Sequence, residues 1–260
     1  LPIMKAPASP SDVALGEANE HLETPLCGGC GAKVGGSVLR GSLQDEGARD
    51  HADVVRAQGD DAAILRQPGG GFQVLSTDHL RAFVEDPVQM TRIAAVHALG
   101  DVWAMGAAPQ TALSTIILPR MSQALQSRTL HEINSTARHV FGAAGASVVG
   151  GHTTMGAELT IGFTVTGTCA QKPITLGGAQ AGDVLLLTRP IGTGVILAAH
   201  MAGRAPPRVT AQTLAQMEQP QSIAADVLSD AHAMTDVTGF GLAGHVDAMC
   251  RASGVQATLW

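Results

Sequence analysis

A mixed α/β or α+β enzyme fold is predicted for this chain of 260 residues, and three features of the sequence predict it. Apolar residues make up 45% of the chain but aromatics only 3%, with no tyrosine, so the core is left to alanine, valine, leucine and isoleucine. The 31 glycines permit many close backbone approaches. Short strand-like runs alternate with longer stretches of helical spacing. At roughly 100–200 residues per domain, the length suits one large or two ordinary domains.

Several function classes are disfavoured at this level. The net charge of −6 argues against a nucleic-acid backbone as partner, and the lack of aromatics argues against a base-stacking groove. A bound nucleotide is different, because magnesium can bridge an acidic pocket to a triphosphate. No apolar run approaches about 18 residues, so no membrane-spanning helix is expected. Leu1 to Glu23 lacks the basic-then-apolar order of a signal peptide. Four cysteines make no disulfide framework, and Cys169 and Cys250 stand alone, which fits a cytoplasmic location. Residues 1–24, with Pro2, Pro7 and Pro10 and no initiator methionine, read as a linker or arm that follows something upstream.

In chain order, residues 25–36 form a glycine-rich segment, with a helix expected from Ser37. Phe72 to Leu75 reads as a strand ending at Ser76-Thr77-Asp78. Asp86-Pro87 reads as a helix start, aspartate capping and proline at the first helical position, with the helix running toward Met105. Thr111 to Leu118 is strand-like and Ser127 to Ala144 helical. Ser147 to Val149 and Leu159 to Val165 read as strands separated by Gly150-Gly151-His152-Thr153. Gln171 to Gly182 resembles an interdomain connection. Beyond it come a strand at Val184 to Leu187, a Gly192-Thr193-Gly194 turn leading into a helix, and a loop at Pro206-Pro207. A last helix from Leu242 to Ala252 is followed by Val255 to Trp260 as a strand cut short. The expected organisation is an arm (1–24), an N-terminal domain (25–170) and a second, incomplete domain (171–260).

The chemistry concentrates where aspartate interrupts apolar sequence: Asp60 and Asp61, Asp78, Asp101, and Asp236. Ionised carboxylates in such surroundings are costly unless paired, hydrogen-bonded or metal-bound. His97 and Asp101 are four apart on one helix face, so a buried pair between them competes with a metal role for Asp101. Asp60 and Asp61 are consecutive, so their side chains should diverge, one toward backbone or ribose and one toward a cation. Magnesium takes one or two protein carboxylates per ion, with waters and phosphates completing its shell, so four aspartates point to more than one ion.

The second constellation is Cys30 with Lys33 in the glycine-rich segment. The ammonium can lower the thiol's pKa or neutralise a terminal phosphate. Cys27-x-x-Cys30 can also be read as half a zinc site, without a second pair nearby, or as a redox dithiol. Gly150 to Thr153, placed between two strands, offers backbone amides to phosphate oxygens.

Taken together, these motifs resemble the selenophosphate synthetase (selenide, water dikinase) family. The resemblance rests on Cys30-Gly-Ala-Lys33, Gly59-Asp-Asp-Ala-Ala63, Ser76-Thr-Asp78, Asp86-Pro87, Arg92-Ile-Ala-Ala95, Asp101-Val-Trp-Ala-Met-Gly106, Gly150-Gly-His152 and Met234-Thr-Asp-Val-Thr-Gly-Phe-Gly-Leu242. It implies an α+β fold of the α/β-sandwich type, namely the two-domain aminoimidazole ribonucleotide synthetase-like (PurM-like) ATP-binding fold, with the second domain truncated. It implies a homodimer formed through the N-terminal sheets. The implied reaction takes ATP, selenide and water to selenophosphate, AMP and orthophosphate. Carried over by motif, Asp61, Asp101, Asp236 and Asp78 would hold magnesium. Lys33, Gln58, Gly59, Asp60, Asp78, Asp101, Gly151, His152 and Thr153 would meet ATP, and Cys30 and Lys33 would be catalytic. Ala32 and His97 depart from the family pattern, which often has cysteine and asparagine there. Residues 1–24 resemble the joint to an upstream oxidoreductase domain in fused members. The alternatives are a thiamine-monophosphate kinase-like enzyme and a redox-sensing module working through Cys27 and Cys30.

Overall fold

The computed structural model describes residues 51–55 and 60–259, with Val34 and Val38 besides. The expectations for the arm, for Cys27, Cys30 and Lys33, for most of the helix after Ser37, and for Gln58 and Gly59 lie outside these residues.

Among the described residues six strands form a single sheet: β1 (Val54–Val55), β2 (Ala63–Arg66), β3 (Phe72–Arg81), β4 (Ala108–Pro119), β5 (Ser147–Gly156) and β6 (Thr160–Cys169). Their spatial order is β1-β2-β3-β6-β4-β5. All neighbours run antiparallel except β4 and β5. A parallel pair needs a long crossover, and helix α2 (Gln123–Ala143) supplies it.

Helix α1 (Pro87–Ala104) starts as its sequence predicts. Asp86 accepts a hydrogen bond from the Val88 amide at 2.9 Å, and Pro87 occupies the first turn, where a missing N–H costs nothing. Its apolar residues face nearly every direction, and Met90, Ile93, Ala95, Leu99 and Val102 are all buried. Helix α2 begins at Gln123, ahead of the expected Ser127, because Ser122 caps it. Its Phe141 meets Phe163 of β6 edge to face, with ring centroids 4.9 Å apart. Both helices cover one face of the sheet. On the other face Leu75 and Leu113 are exposed beside Thr77 and Thr164.

Two expectations within the sheet need correction. Strand β3 does not end at Asp78 but runs on to Arg81, because β6 offers partners along its whole length, Asp78 opposite Phe163 and Leu80 opposite Ile161. Gly150 to Thr153 is not a turn between strands but the middle of β5, paired with Leu113 to Ile116 of β4. Side-chain pattern gave no hint of this, since β5 is exposed over most of its length.

After Cys169 come α3 (Thr193–Met201), α4 (Pro207–Met217), α5 (Ser222–Val227) and α6 (Gly241–Ser253). Pro206-Pro207 is the start of α4 rather than a loop, with Pro207 at the first helical position. Val184 to Leu187 forms no strand, and neither do residues 255–259. Among the described residues no strand lies beside them to take their backbone hydrogen bonds, and Val184 is 80% exposed. The two halves are tied by Glu218, which meets Gln89 at 2.6 Å and Arg92 at 3.5 Å on α1. No helix among the described residues is long and apolar enough to cross a membrane.

Candidate active site

Four separate segments deliver the acidic residues to one place. On β3, alternation puts Ser76 and Asp78 on the helix-covered face with buried Val74 and Leu80. Helix α1 contributes His97 and Asp101 from its interior. The turn before β2 contributes Asp61, and the loop before α6 contributes Asp236. Oxygens of Asp61, Asp101 and Asp236 all lie within 4.8 Å of one another. Gly100 borders this approach: a Cβ there would sit in van der Waals contact, 3.4 Å from Asp236 Oδ2.

The consecutive aspartates diverge. Asp60 Oδ1 accepts the Leu176 amide at 2.7 Å and so anchors the chain leaving β6. Burial raises its pKa against that hydrogen bond and Lys172. Asp61 turns inward, where its Oδ1 accepts the Thr235 hydroxyl at 2.9 Å. Its Oδ2 is buried with no hydrogen-bond partner among the described residues.

The pairing of Asp101 with His97 is not what forms. Asp101 accepts the Ser76 hydroxyl, whereas His97 Nε2 lies 3.1 Å from Asp78 Oδ2. Helical spacing put His97 and Asp101 on one face, but β3 presents a nearer carboxylate to the imidazole. Burial opposes a charged His97, yet Asp78, backed by Asp236 and Asp101, raises its pKa on balance.

Like charges in a dry site cannot all ionise freely. Burial, then the charges of Asp236 and Asp78, push the Asp101 carboxyl up to about 8 despite the Ser76 hydrogen bond. Burial and Asp101 raise Asp61 to about 7. These residues fit a hard divalent cation: the donors are all carboxylate oxygens, and one of them is buried and has no hydrogen-bond partner among the described residues. Asp61, Asp101 and Asp236 would hold it, with Asp78 beside them.

Three of the predicted residues are not brought here. Gly151, His152 and Thr153 lie on β5, with β6 and β4 between them and β3, about 14 Å away at the usual strand spacing. Sequence reasoning passed over Ser76 and Thr235 as hydrogen-bond donors to the cluster, and over His245 in the first turns of α6. A histidine placed so soon after the Asp236 loop was the available signal for the last.

The N-terminal and C-terminal domain models of AIR synthase related proteins match residues 59–169 and 180–259. Solved structures share this fold. AaThiL complexed with AMPPCP and TMP has a TM-score of 0.66 at 20% identity, over 84% of this chain and 69% of its own. Thiamine-monophosphate kinase from Stenotrophomonas maltophilia K279a has a TM-score of 0.57 at 20% identity, over 82% and 70%. The class is thus a two-domain protein of the AIR synthase related fold with a buried acidic cluster.

Sequence narrows this further. The selenide, water dikinase of Rhizobium meliloti (strain 1021) is 36% identical over 89% of this chain and 68% of its own length. That of Aeromonas salmonicida (strain A449) is 37% identical over the same shares. The chain belongs to the selenide, water dikinase family.

Proposed function

We propose that this protein makes selenophosphate from selenide, water and ATP, releasing AMP and orthophosphate, with Asp61, Asp101 and Asp236 holding magnesium against the triphosphate. One observation carries the reading: three carboxylates from distant segments meet within 4.8 Å. More than one ion is proposed, because these three and Asp78 exceed the one or two carboxylates a single magnesium takes. Magnesium bound there supplies charge neutralisation on the phosphoryl oxygens.

The chain's own groups hold and orient. Ser76 fixes the Asp101 carboxylate, Thr235 fixes Asp61, and His97 holds Asp78. We assign Lys33 to the transferring phosphoryl group, Cys30 to the selenium and Gln58 to Asp60 to the nucleotide on the strength of the family motifs. Asp60 keeps one carboxylate oxygen on Leu176, so only its second is available to ligand.

We infer a homodimer built through the uncovered sheet faces, where Leu75, Leu113 and Val149 are exposed. Gly151 to Thr153 stand too far along the sheet to serve their own chain's cluster, so their nucleotide role is assigned to the neighbouring copy's site. The reaction is placed in the cytoplasm, in keeping with free thiols at Cys169 and Cys250.

Anaerobic incubation with magnesium–ATP and selenide tests the reading. Phosphorus NMR should show selenophosphate and orthophosphate, with AMP formed only when selenide is present. In a parallel incubation with thiamine monophosphate in place of selenide, ADP together with phosphorylated thiamine monophosphate would instead establish the kinase-like alternative.

A further inference from the structure

We propose that His245 is a positioning residue for the cation site, acting through Thr235 and Thr238; this rests on the acidic cluster being that site. His245 lies on α6, in the second half of the chain, and its contacts with Thr235 and Thr238 close the loop that carries Asp236. Its Nε2 accepts the Thr238 amide at 3.1 Å. An accepting Nε2 has no proton, so the neutral ring carries its proton on Nδ1. That nitrogen lies 3.5 Å from Thr235 Oγ1.

The tautomer sets a direction along the chain of contacts. With Nδ1–H aimed at the Thr235 oxygen, the hydroxyl proton is left to point elsewhere, and Asp61 Oδ1 lies 2.9 Å away. The Asp236 carbonyl, 3.0 Å from the same hydroxyl, is the competing acceptor. The imidazole thereby keeps the hydroxyl proton off the ring, and of the two remaining acceptors the carboxylate is the stronger, so the arrangement favours holding Asp61 with its second oxygen, Oδ2, turned into the site. Phe240 packs on the ring at 5.9 Å between centroids and fixes its tilt. Neither Thr238 nor His245 is needed as a ligand. Their part is to keep the Asp236 loop and the Asp61 carboxylate in register.

A titration of the whole chain with Mn²⁺, read by the EPR signal of the free ion, tests this. His245→Phe keeps the ring and removes both nitrogens, and Thr235→Val removes the hydroxyl at constant shape. Each should weaken Mn²⁺ binding about tenfold, as losing an outer partner of a metal ligand does. Both changes break one chain of contacts, so the double variant should lose little more than either single one. His245→Gln, which returns an acceptor near the Nε2 position, should recover part of the affinity. Wild-type affinity in His245→Phe overturns the proposal, as does a loss in the double variant equal to the product of the two. Should His245→Phe not fold, wild-type affinity in Thr235→Val overturns it alone. A wild-type chain that binds no Mn²⁺ defeats the cluster reading itself, a different failure.

Discussion

Replacing Asp101 by asparagine should stabilise the metal-free protein at alkaline pH and remove most of its response to cation. The carboxyl is 7% exposed and raised from 3.8 to about 8 by burial, Asp236 and Asp78. Its folded pKa lies above the unfolded one, so it favours folding fully below about pH 4. That contribution fades as pH rises through 8. Roughly four pH units at about 1.4 kcal/mol each set a ceiling near 6 kcal/mol for holding the ionised form. Asp61 and Asp236 share the repulsion, so about a third of this, ~2 kcal/mol, is the expected gain from asparagine. Its amide can still accept from Ser76, and its NH2 group faces Asp236 without repulsion. Thermal melts in EDTA should converge as the pH falls toward 4. At pH 8.5 the variant should melt about 4–8 °C higher, at roughly 2–4 °C per kcal/mol for a chain of this size. Added Mn²⁺ should raise the wild-type midpoint and leave the variant nearly unmoved. A variant less stable than wild type at pH 8.5 in EDTA, or equally stabilised by Mn²⁺, would refute the reasoning.

Other consequences follow from the same structure. Gly151→Ala puts a Cβ 2.2 Å from the Ser114 carbonyl oxygen, so β4 and β5 must separate. A loss of about 1–3 kcal/mol is expected in denaturant unfolding, the range of core overpacking, and an unchanged midpoint would mean the strands are not paired in this register. Leu113→Asp places a charge in the centre of the uncovered sheet face, where Leu113 is 47% exposed. Sedimentation should show a dimer converted to monomer with the fold intact, and a persisting dimer would locate the contact elsewhere. Cys30→Ser should abolish selenide-dependent turnover and leave magnesium–ATP affinity within about twofold, since a neutral hydroxyl replaces only the nucleophilic thiolate; equal loss of both would contradict the role given to the thiol.

What was legible in the sequence came from chemical contrast and from local signals. Aspartates stood out because their surroundings were apolar, and Asp86-Pro87 marked a helix start through backbone geometry that involves only neighbours in the chain. The places where expectation and structure part are those where a partner strand or helix decides. Asp78 reads as a strand end until β6 is laid beside it, and Gly150 to Thr153 reads as a turn until β4 pairs with it. Val184 to Leu187 has strand composition, yet a strand is a relation between two segments, and no second one lies alongside among the described residues.

The sequence by itself determined that this chain sets aspartates in apolar stretches with few cations beside them, and its motifs carry the family. Only the tertiary structure decided which carboxylates converge and who restrains them. Asp61 joins Asp101 and Asp236, while its neighbour Asp60 anchors a backbone amide. His97 goes to Asp78 instead of Asp101, and His245 reaches Asp61 through Thr235. The reason is geometric. Charge and hydropathy are properties of residues, but electrostatic coupling depends on distances between segments that lie far apart in the chain.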